Sequence, residues 1–540
     1  MIKFKRTFTL ITSLLIAASV FTSCTGNNSK SSSSKKSESV LNIAGFSEDP
    51  GTADAQKRTD TYLMPLNLYD RLVETETVDG KPKQVPSLAT KWDVSSNGLI
   101  YTFHLKKGIK FTNGEEFKAD DVLFTFDRML DPKTKALNTN FLDMIKGAKA
   151  RMSGKANSVS GIKVLDDYTI KITLDKPFAP FIADLATPAC SIYNRKATEA
   201  AGSKFGTSPS TTVGTGPFKI KSWKLNSQIT LVPNKNYFKG APKLFQLNIK
   251  VVPDAETQKM MFETGRLDVL DLDNVSSQAK YFQTSPKWKN HIVSGQRVGI
   301  NYYALNEKFK PLDNVKVRKA IEYAIDRKTI LEKIQNGNGQ LENGIMPHGL
   351  DGFNANLPEI EYNKTKAKQL LKEAGYPNGF TMEIAQDTDS PNTLKLNQTV
   401  QAMLADVGIK VKIKQIDDST YYATRAKGLL PTYTSEWAAD YNDPDNFIYT
   451  FFAKDNSFAR SFNYKNKAVF NKVEEARKIT DQSARIKLYQ DIEKTIVNDD
   501  VAWIPLYSRT KMFVIQPYVK SFNVAWNGWG DMKYSDVTVK

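Results

Sequence analysis

The stretch FTMEIAQDTDSPNTLKLNQTVQAMLADVGIKVKI, residues 380–413, decides the fold class. Phe380 to Ala385 reads as a strand. Leu396, Val400, Met403, Leu404 and Val407 then fall on one face of a helix, and Gly408 is placed to cap its end. Ile409, Val411 and Ile413 alternate with lysines, which is the period of a second strand. A strand, a helix and a strand in that order form a parallel pair with a crossover, so the segment predicts an α/β lobe. Upstream, Asn363 is placed to cap a helix whose apolar stripe is Ala367, Leu370, Leu371 and Ala374, stopped by Gly375 and Pro377.

The first half reads differently. Tyr101, Phe103 and Leu105 alternate, and Ile109 and Phe111 follow a Lys106-Lys107-Gly108 turn, which predicts a hairpin closed by Asn113-Gly114. A helix carrying Val122, Leu123, Phe126 and Met129 comes next. Short strands at Tyr168 to Leu174, Phe218 to Trp223 and Ile229 to Val232 make this half sheet-rich. With 540 residues, 40% of them hydrophobic and 25% charged, the chain has ordinary globular usage and length for two to four domains.

The first forty residues set the compartment. Lys3, Lys5 and Arg6 precede the apolar run Phe8 to Val20, which is too short for a bilayer span of about 20 residues and reads as a secretion signal. The run ends Phe21-Thr22-Ser23-Cys24, which resembles a bacterial lipoprotein cleavage site, with Phe21 where leucine is usual; the alternative is an ordinary signal peptide with a chance cysteine. Residues 1–23 are then the signal peptide. Residues 24–40, rich in Ser and Lys with almost nothing apolar to bury, form a solvated tether. Lipid chains on Cys24 supply the two-chain anchoring that stable membrane residence needs, on the outer face of the cell membrane. Of the formal charge of +17, six basic residues and one acid fall before residue 41, leaving +12 for the remainder. Such a surplus suits nucleic acid or an anionic envelope, and the extracytoplasmic placement favours the envelope over nucleic acid.

The sequence offers little catalytic chemistry. His104, His291 and His348 are its three histidines, and Cys190 is the second of two cysteines, so a metal site or disulfide scaffold lacks material. Cys190 reads as a small buried apolar residue. Gly214-Thr215-Gly216-Pro217 is a GxG whose proline removes a phosphate-binding donor, and it reads as a turn. No GxSxG, HExxH or CxxC occurs. The pairs Asp120-Asp121 and Asp499-Asp500 are neighbours whose side chains point apart. The balance favours a binding protein over an enzyme, without a cofactor or metal.

Four blocks resemble one family. Residues 89–128 (ATKWDVSSNGLIYTFHLKKGIKFTNGEEFKADDVLFTFDR), 213–238 (VGTGPFKIKSWKLNSQITLVPNKNYF), 314–331 (NVKVRKAIEYAIDRKTIL) and 437–447 (WAADYNDPDNF) are similar, in the same order, to family 5 extracellular solute-binding proteins, the receptors of peptide-type ABC importers. The resemblance implies the two-lobed periplasmic-binding-protein-like fold of type II, in its large peptide-binding subclass, with an inserted domain and a cleft between lobes. One lobe would comprise residues 41–75, 206–299 and 509–540, with 76–205 inserted, and the other 300–508. The chain would cross near Asn301 and Tyr507, the implied hinge. The implied partners are an oligopeptide ligand and the membrane permease subunits with their ATPases, served by a monomer.

Peptide-binding members hold the ligand α-ammonium on the aspartate after Trp-x-x, which maps onto Asp440, beside Trp437. Read without the family, Asp440 instead caps a turn with Asn442 and Pro444. Tyr302, in NYYALN, resembles a cleft tyrosine of oligopeptide-type members. Arg425, twelve residues before Trp437, matches an arginine at that spacing, the alternative being a surface helix position. Two positions depart from the pattern: Asp387 stands where dipeptide-type members carry an arginine for the ligand carboxylate, and Thr434 stands where oligopeptide-type members carry another. The resemblance therefore favours oligopeptides over dipeptides, and Asp387 and Asp418, facing the cleft, would favour cationic ligands. The same family also carries sugars, metal chelates and opines, and a signalling peptide would bind by the same step.

Overall fold

The strand–helix–strand segment folds as its periodicity dictates. Strands Phe380–Asp387 and Ile409–Ile416 pair in parallel, Phe380 opposite Ile409, and helix Pro391–Ala405 crosses between them. Leu396, Val400, Leu404 and Val407 are buried with Ile384 and Ile409 in one cluster. Gly408 lies at φ +95°, and its carbonyl oxygen would stand 1.8 Å from a Cβ at Gly379, so the close approach at the start of the pair requires glycine on one side and a left-handed turn on the other. Asn363 caps helix Lys364–Glu373 by accepting from the Lys366 backbone N–H at 2.9 Å. This computed structural model describes residues 39–59, 61–388 and 391–540; Cys24, the signal segment and nearly all of the tether lie outside the described residues.

The centre of the body is one ten-stranded sheet. Its order is Thr432–Ala438, Gly299–Leu305, Trp503–Ile515, Val269–Asp271, Val40–Phe46, Gln246–Val251, Gln228–Pro233 and Phe218–Lys224, with Ile292–Gln296 and Gly339–Leu341 also pairing to Trp503–Ile515. The long strand Trp503–Ile515 joins two halves. Its first residues pair with Gly299–Leu305 and its last with Val269–Asp271 and Ile292–Gln296. A register shift falls between Asn301 and Tyr302, opposite Tyr507 and Pro505. Buried and half-buried apolar side chains divide accordingly: two clusters draw on residues from 41 to 293 and from 512 to 539, with Tyr441 added, and two others on residues from 298 to 507, with Trp526 added. The protein has the two-lobed fold of the peptide-binding class.

Between the early strands sits an antiparallel four-stranded sheet, in the order Ala89–Val94, Ile100–Leu105, Thr169–Thr173 and Ile162–Asp166, covered by helix Ala119–Leu130. Val122, Phe126 and Met129 are buried in that helix. The predicted hairpin does not form. Ile100–Leu105 pairs with Ala89–Val94 and Thr169–Thr173, while Ile109 and Phe111 are buried outside any strand, beside an isolated bridge between Lys110 and Glu116. Both flanks of Ile100–Leu105 are taken, one by the strand just before it and one by Thr169–Thr173, so the local turn has no edge to return to. This inserted segment touches the second half across the cleft: Asn442 donates to the Pro82 carbonyl at 2.9 Å, the Ala179 N–H donates to the Arg477 carbonyl at 3.1 Å, and Phe141 meets Tyr441 edge-on at 6.3 Å.

The GxG at 214–216 has a packing cause. A Cβ on Gly214 would stand 2.0 Å from the Leu68 carbonyl oxygen, and one on Gly216 would stand 2.4 Å from the Leu68 carbonyl carbon. The stretch is pressed against the chain at Leu68–Tyr69, with no room for an anion. Gly216→Ala is accordingly expected to lower stability by about 1–3 kcal/mol, read as a lower urea midpoint; an unchanged midpoint would mean that the backbone moves aside freely.

Candidate functional site

The segment 432–452 builds the site. Strand Thr432–Ala438 lies at the end of the large sheet, the chain turns at 439–444, and Pro444 opens helix Asp445–Phe452. One residue in the helix's first turn fixes the turn before it. The Asn446 side-chain oxygen accepts from the Asp440 backbone N–H at 3.0 Å, its Nδ2 donates to Asp440 Oδ2 at 3.1 Å, and its carbonyl accepts from Trp437 Nε1 at 3.1 Å. Asn446 thus holds Trp437 and Asp440 together. The turn partner read from the sequence, Asn442, instead accepts from the Asp351 N–H and donates to Pro82.

Three aspartates crowd this turn, with different fates. Asp443 takes a two-pronged contact from Arg485, at 2.7 and 2.5 Å, and Asp445 takes Arg477 at 3.1 Å and the Tyr489 hydroxyl at 2.8 Å. Among the described residues no cation is bonded to Asp440. Burial pushes its carboxyl up to about 6, only partly opposed by the Asn446 hydrogen bond and the nearby charge of Arg460. Four residues earlier, burial also pushes the Glu436 carboxyl up, but the charges of Arg297 and Arg509 outweigh that and hold it at about 2. Glu436 accepts from Arg297 at 2.5 Å and from Arg509 at 2.6 Å.

Asp440 borders two cavities, of about 460 and 500 Å³, which share Trp529 and Asp531 as lining. The first is walled by both halves of the molecule, with Gly45, Leu63 and Phe513 facing Trp437 and Ala438. Its other ionic groups are satisfied. Asp271 and Asp273 take Lys511 at 2.6 and 2.8 Å, and Asp531 accepts from the Thr61 hydroxyl at 2.7 Å and the Tyr62 N–H at 2.6 Å. Asp440 is left as the carboxylate in that cavity offered only an amide.

The other sequence-chosen residues fall in two places. Tyr302 is 1% exposed and lies flat on Trp503 with ring centres 3.7 Å apart, in an aromatic cluster with Phe451, Phe462 and Tyr433. Arg425 lies on helix Asp418–Ala426, partly exposed, with its guanidinium over the Tyr422 ring at 4.6 Å. Asp387 ends its strand close enough to Tyr421 and Tyr422 to raise both phenols, after burial and the charges of nearer groups. Asp418 is exposed in the first turn of the same helix. Thr434 is buried and donates to Asn397 at 2.6 Å. Cys190 is fully buried, and burial pushes its thiol up to about 12. Among the described residues no group of three or more His, Cys, Asp or Glu is placed to hold a metal.

Two residues escaped the sequence reading. Asn446 stands inside the quoted motif, where an amide one turn beyond an aspartate gives a weak capping signal. Arg460 lies twenty-three residues past Trp437 and stacks on its ring at 4.6 Å, a contact made only by the tertiary fold.

Residues 83–459 match the family described as "Bacterial extracellular solute-binding proteins, family 5 Middle". Heme-binding protein A of Haemophilus influenzae is 32% identical over 96% of this chain and 96% of its own length. The dipeptide-binding protein of Escherichia coli is 30% identical over 85% of this chain and 88% of its own. The periplasmic binding protein DppA of Helicobacter pylori, solved in complex with the peptide STSA, superposes with a TM-score of 0.74 at 29% identity, covering 93% of this chain and 98% of that one. The chain belongs to the family 5 bacterial extracellular solute-binding proteins.

The electrostatics of the turn can be read directly. The Asp440 carboxyl carbon, followed by NMR in selectively labelled ligand-free protein, is expected to titrate near 6, and Asn446→Ala, which removes a donor to the ionised form, to move the midpoint higher. A wild-type midpoint at about 4, the ordinary carboxylate range, would show that the group is solvated.

Proposed function

We propose that this family 5 solute-binding protein captures oligopeptides by their α-ammonium on Asp440, in a cleft between lobes, and delivers them to the permease of an ABC importer without chemical change. The observation that carries this reading is the partly buried Asp440 carboxyl, bordering both cavities with, among the described residues, the Asn446 amide as its one hydrogen-bond partner. A carboxylate so placed gains from a ligand ammonium, and loss of one member of a desolvated pair costs about 2–5 kcal/mol. Two comparison proteins, the dipeptide-binding protein of Escherichia coli and the peptide complex from Helicobacter pylori, support peptide as the ligand class.

The lobes are assigned as residues 41–75, 206–299 and 509–540, with 76–205 inserted, and 300–508. The division of buried clusters and the register shift opposite Tyr507 support a hinge at the two crossings. Ligand touching Asp440 on one side and residues such as Gly45 and Leu63 on the other favours the closed arrangement, because only that arrangement offers both sets of contacts. A lipid on Cys24 holds the monomeric body to the outer face of the cell membrane; no helix among the described residues is long and apolar enough to cross one.

One observation supports a second ligand class, a metal chelate: the Haemophilus influenzae relative is named for heme binding. Titration with hemin separates the two, since a stoichiometric Soret change displaced by no peptide would favour the chelate.

Calorimetry with one tripeptide and its N-acetyl form tests the main reading. The free-amine peptide is expected to bind at least about thirtyfold more tightly, the fold-change matching a lost desolvated ion pair, with the difference abolished in Asp440→Asn. Because Asp440 must be ionised to hold an ammonium, affinity should be full above pH 6 and fall as pH drops through the midpoint near 6, by roughly tenfold per unit below it. Equal binding of both peptides would remove the Asp440 assignment. For the anchor, Cys24→Ala is expected to release the protein into the medium and abolish labelling with radioactive palmitate; retention on the membrane fraction would count against the lipid.

A further inference from the structure

The positive surplus is not spread evenly along the chain. Residues 200–253 contain eight lysines and no aspartate or glutamate. They build the last three strands of the large sheet, with Phe218–Lys224 on its edge, then Gln228–Pro233, then Gln246–Val251, which pairs in parallel with Val40–Phe46. Lys219, Lys221, Lys235 and Lys243 are exposed and make no ion pair among the described residues. Lys239 lies between the last two of these in sequence and is held by Glu74 at 3.3 Å and Glu76 at 3.4 Å.

Strand register gathers these lysines around the point where the chain enters the body. Leu41 pairs with Leu247, Leu247 with Leu231 and Leu231 with Ile220. Lys219 therefore stands level with Val40, three strands and about 14 Å away at the usual spacing. The connection 234–245, which carries Lys235 and Lys243, closes the same end of the sheet, because Pro233 pairs with Phe218 and Gln246 with Val40. Ser39 is seated on that connection: its hydroxyl donates to the Lys243 carbonyl at 2.9 Å, and its carbonyl accepts from the Phe245 N–H at 2.9 Å. Phe245 is itself 45% exposed, an aromatic ring at the rim of a cationic face. Lysines on an edge strand repel other edges, which accounts for Lys219 and Lys221. Lys235 and Lys243 lie outside any strand, and that reason does not reach them.

We propose that this end of the large sheet is an interaction surface that rests on the anionic outer face of the cell membrane, with the four lysines at the lipid headgroups and Phe245 at the interface. The occupant follows from where the chain enters. Fourteen residues, 25–38, separate Cys24 from Ser39, a length that spans at most about 50 Å, so a lipid on Cys24 keeps the bilayer within reach of Lys243. Lys30, Lys35 and Lys36 fall in the same stretch against Glu38 alone and add to the attraction. The inference rests on the anchor proposed above and goes beyond it: the lipid keeps the protein at the membrane, and the surface selects which side of the body faces it. Each lysine near an anionic bilayer strengthens its hold about fivefold, so four together fix an orientation once the body is held nearby.

The test is co-sedimentation of the mature chain from residue 24, carrying Cys24→Ala and so no lipid, with vesicles of stated composition. Partition onto phosphatidylcholine vesicles containing phosphatidylglycerol is expected to exceed that onto phosphatidylcholine alone by about a hundredfold or more. It should vanish in about 1 M salt, where charges are screened within about 3 Å. The triple variant Lys219→Gln, Lys235→Gln, Lys243→Gln should weaken partition about a hundredfold, three lysines at about fivefold each, with an unchanged thermal midpoint showing that it is folded. The control Lys328→Gln, Lys368→Gln, Lys472→Gln removes the same charge from exposed lysines elsewhere and should leave partition nearly unchanged. Equal partition onto both kinds of vesicle, equal weakening by both triple variants, or no weakening by the first overturns the surface. Capture by soluble polyphosphate without partition onto vesicles overturns it as well and makes an anionic polymer the occupant. The anchor is judged separately by palmitate labelling of Cys24, which the lipid-free chain does not involve, so either can fall while the other stands.

Discussion

A carboxylate partly removed from water without a cation of its own is unstable as an anion, and the site is organised around one such group. Glu436 and Asp440 lie four residues apart and are both withdrawn from solvent, yet one is held near 2 by two arginines and the other sits near 6. The difference is pairing, because burial acts on both in the same direction. A protein built only for stability would place a neutral residue or a nearby arginine at 440, as it does with arginines at 443 and 445. On the proposed peptide reading the missing partner is the ligand's ammonium, and the free energy of that pairing becomes affinity.

The surrounding chain keeps this group from finding a substitute. Asn446 supplies one amide donor and a fixed turn, which orients the carboxylate without neutralising it. The other acids of the cavity are committed to Lys511, Thr61 and Tyr62, and the cavity's cations Lys511 and Arg297 are committed to acids other than Asp440. Beneath Trp437 the stack of Phe451, Phe462, Trp503 and Tyr302 is rigid by packing, with the Trp437 ring edge-on to Phe451 at 5.4 Å. Pre-positioned rings and donors lose little freedom when a ligand lands on them, which keeps the binding energy for the ligand.

The sequence revealed elements wherever local pattern and tertiary fate agree. The alternation at 409–413 and the stripe from Leu396 to Val407 face one core, and the caps at Asn363 and Gly408 sit where side-chain chemistry placed them. The hairpin at 101–111 failed because pairing is decided by which edges remain open, and Ile100–Leu105 already has strands from residues 89–94 and 169–173 on both sides. Of the site, the motif around Asp440 was legible through family resemblance, and composition alone left it as a turn. The carboxylate does accept a turn hydrogen bond, though from Asn446 rather than Asn442, and the same group borders the cavity. Arg460 had no local signal, because its contact is with a ring twenty-three residues away, which only the tertiary fold brings to it.

The strand Trp503–Ile515 connects these charges to both halves of the molecule. Arg509 and Lys511 lie on it, just past the register shift opposite Asn301, and Arg509 grips Glu436 on the strand that leads to Asp440. Arg297, immediately before strand Gly299–Leu305, grips Glu436 from the other crossing. Both segments are therefore tied through one carboxylate to the strand that leads to Asp440. A bend at the crossings cannot leave that strand behind without separating Glu436 from at least one arginine, and breaking a withdrawn ion pair is costly. The Glu436 contacts thus hold the strand that leads to Asp440 in a constant relation to strands Gly299–Leu305 and Trp503–Ile515, while Gly45, Leu63 and Phe513 face it across the cavity.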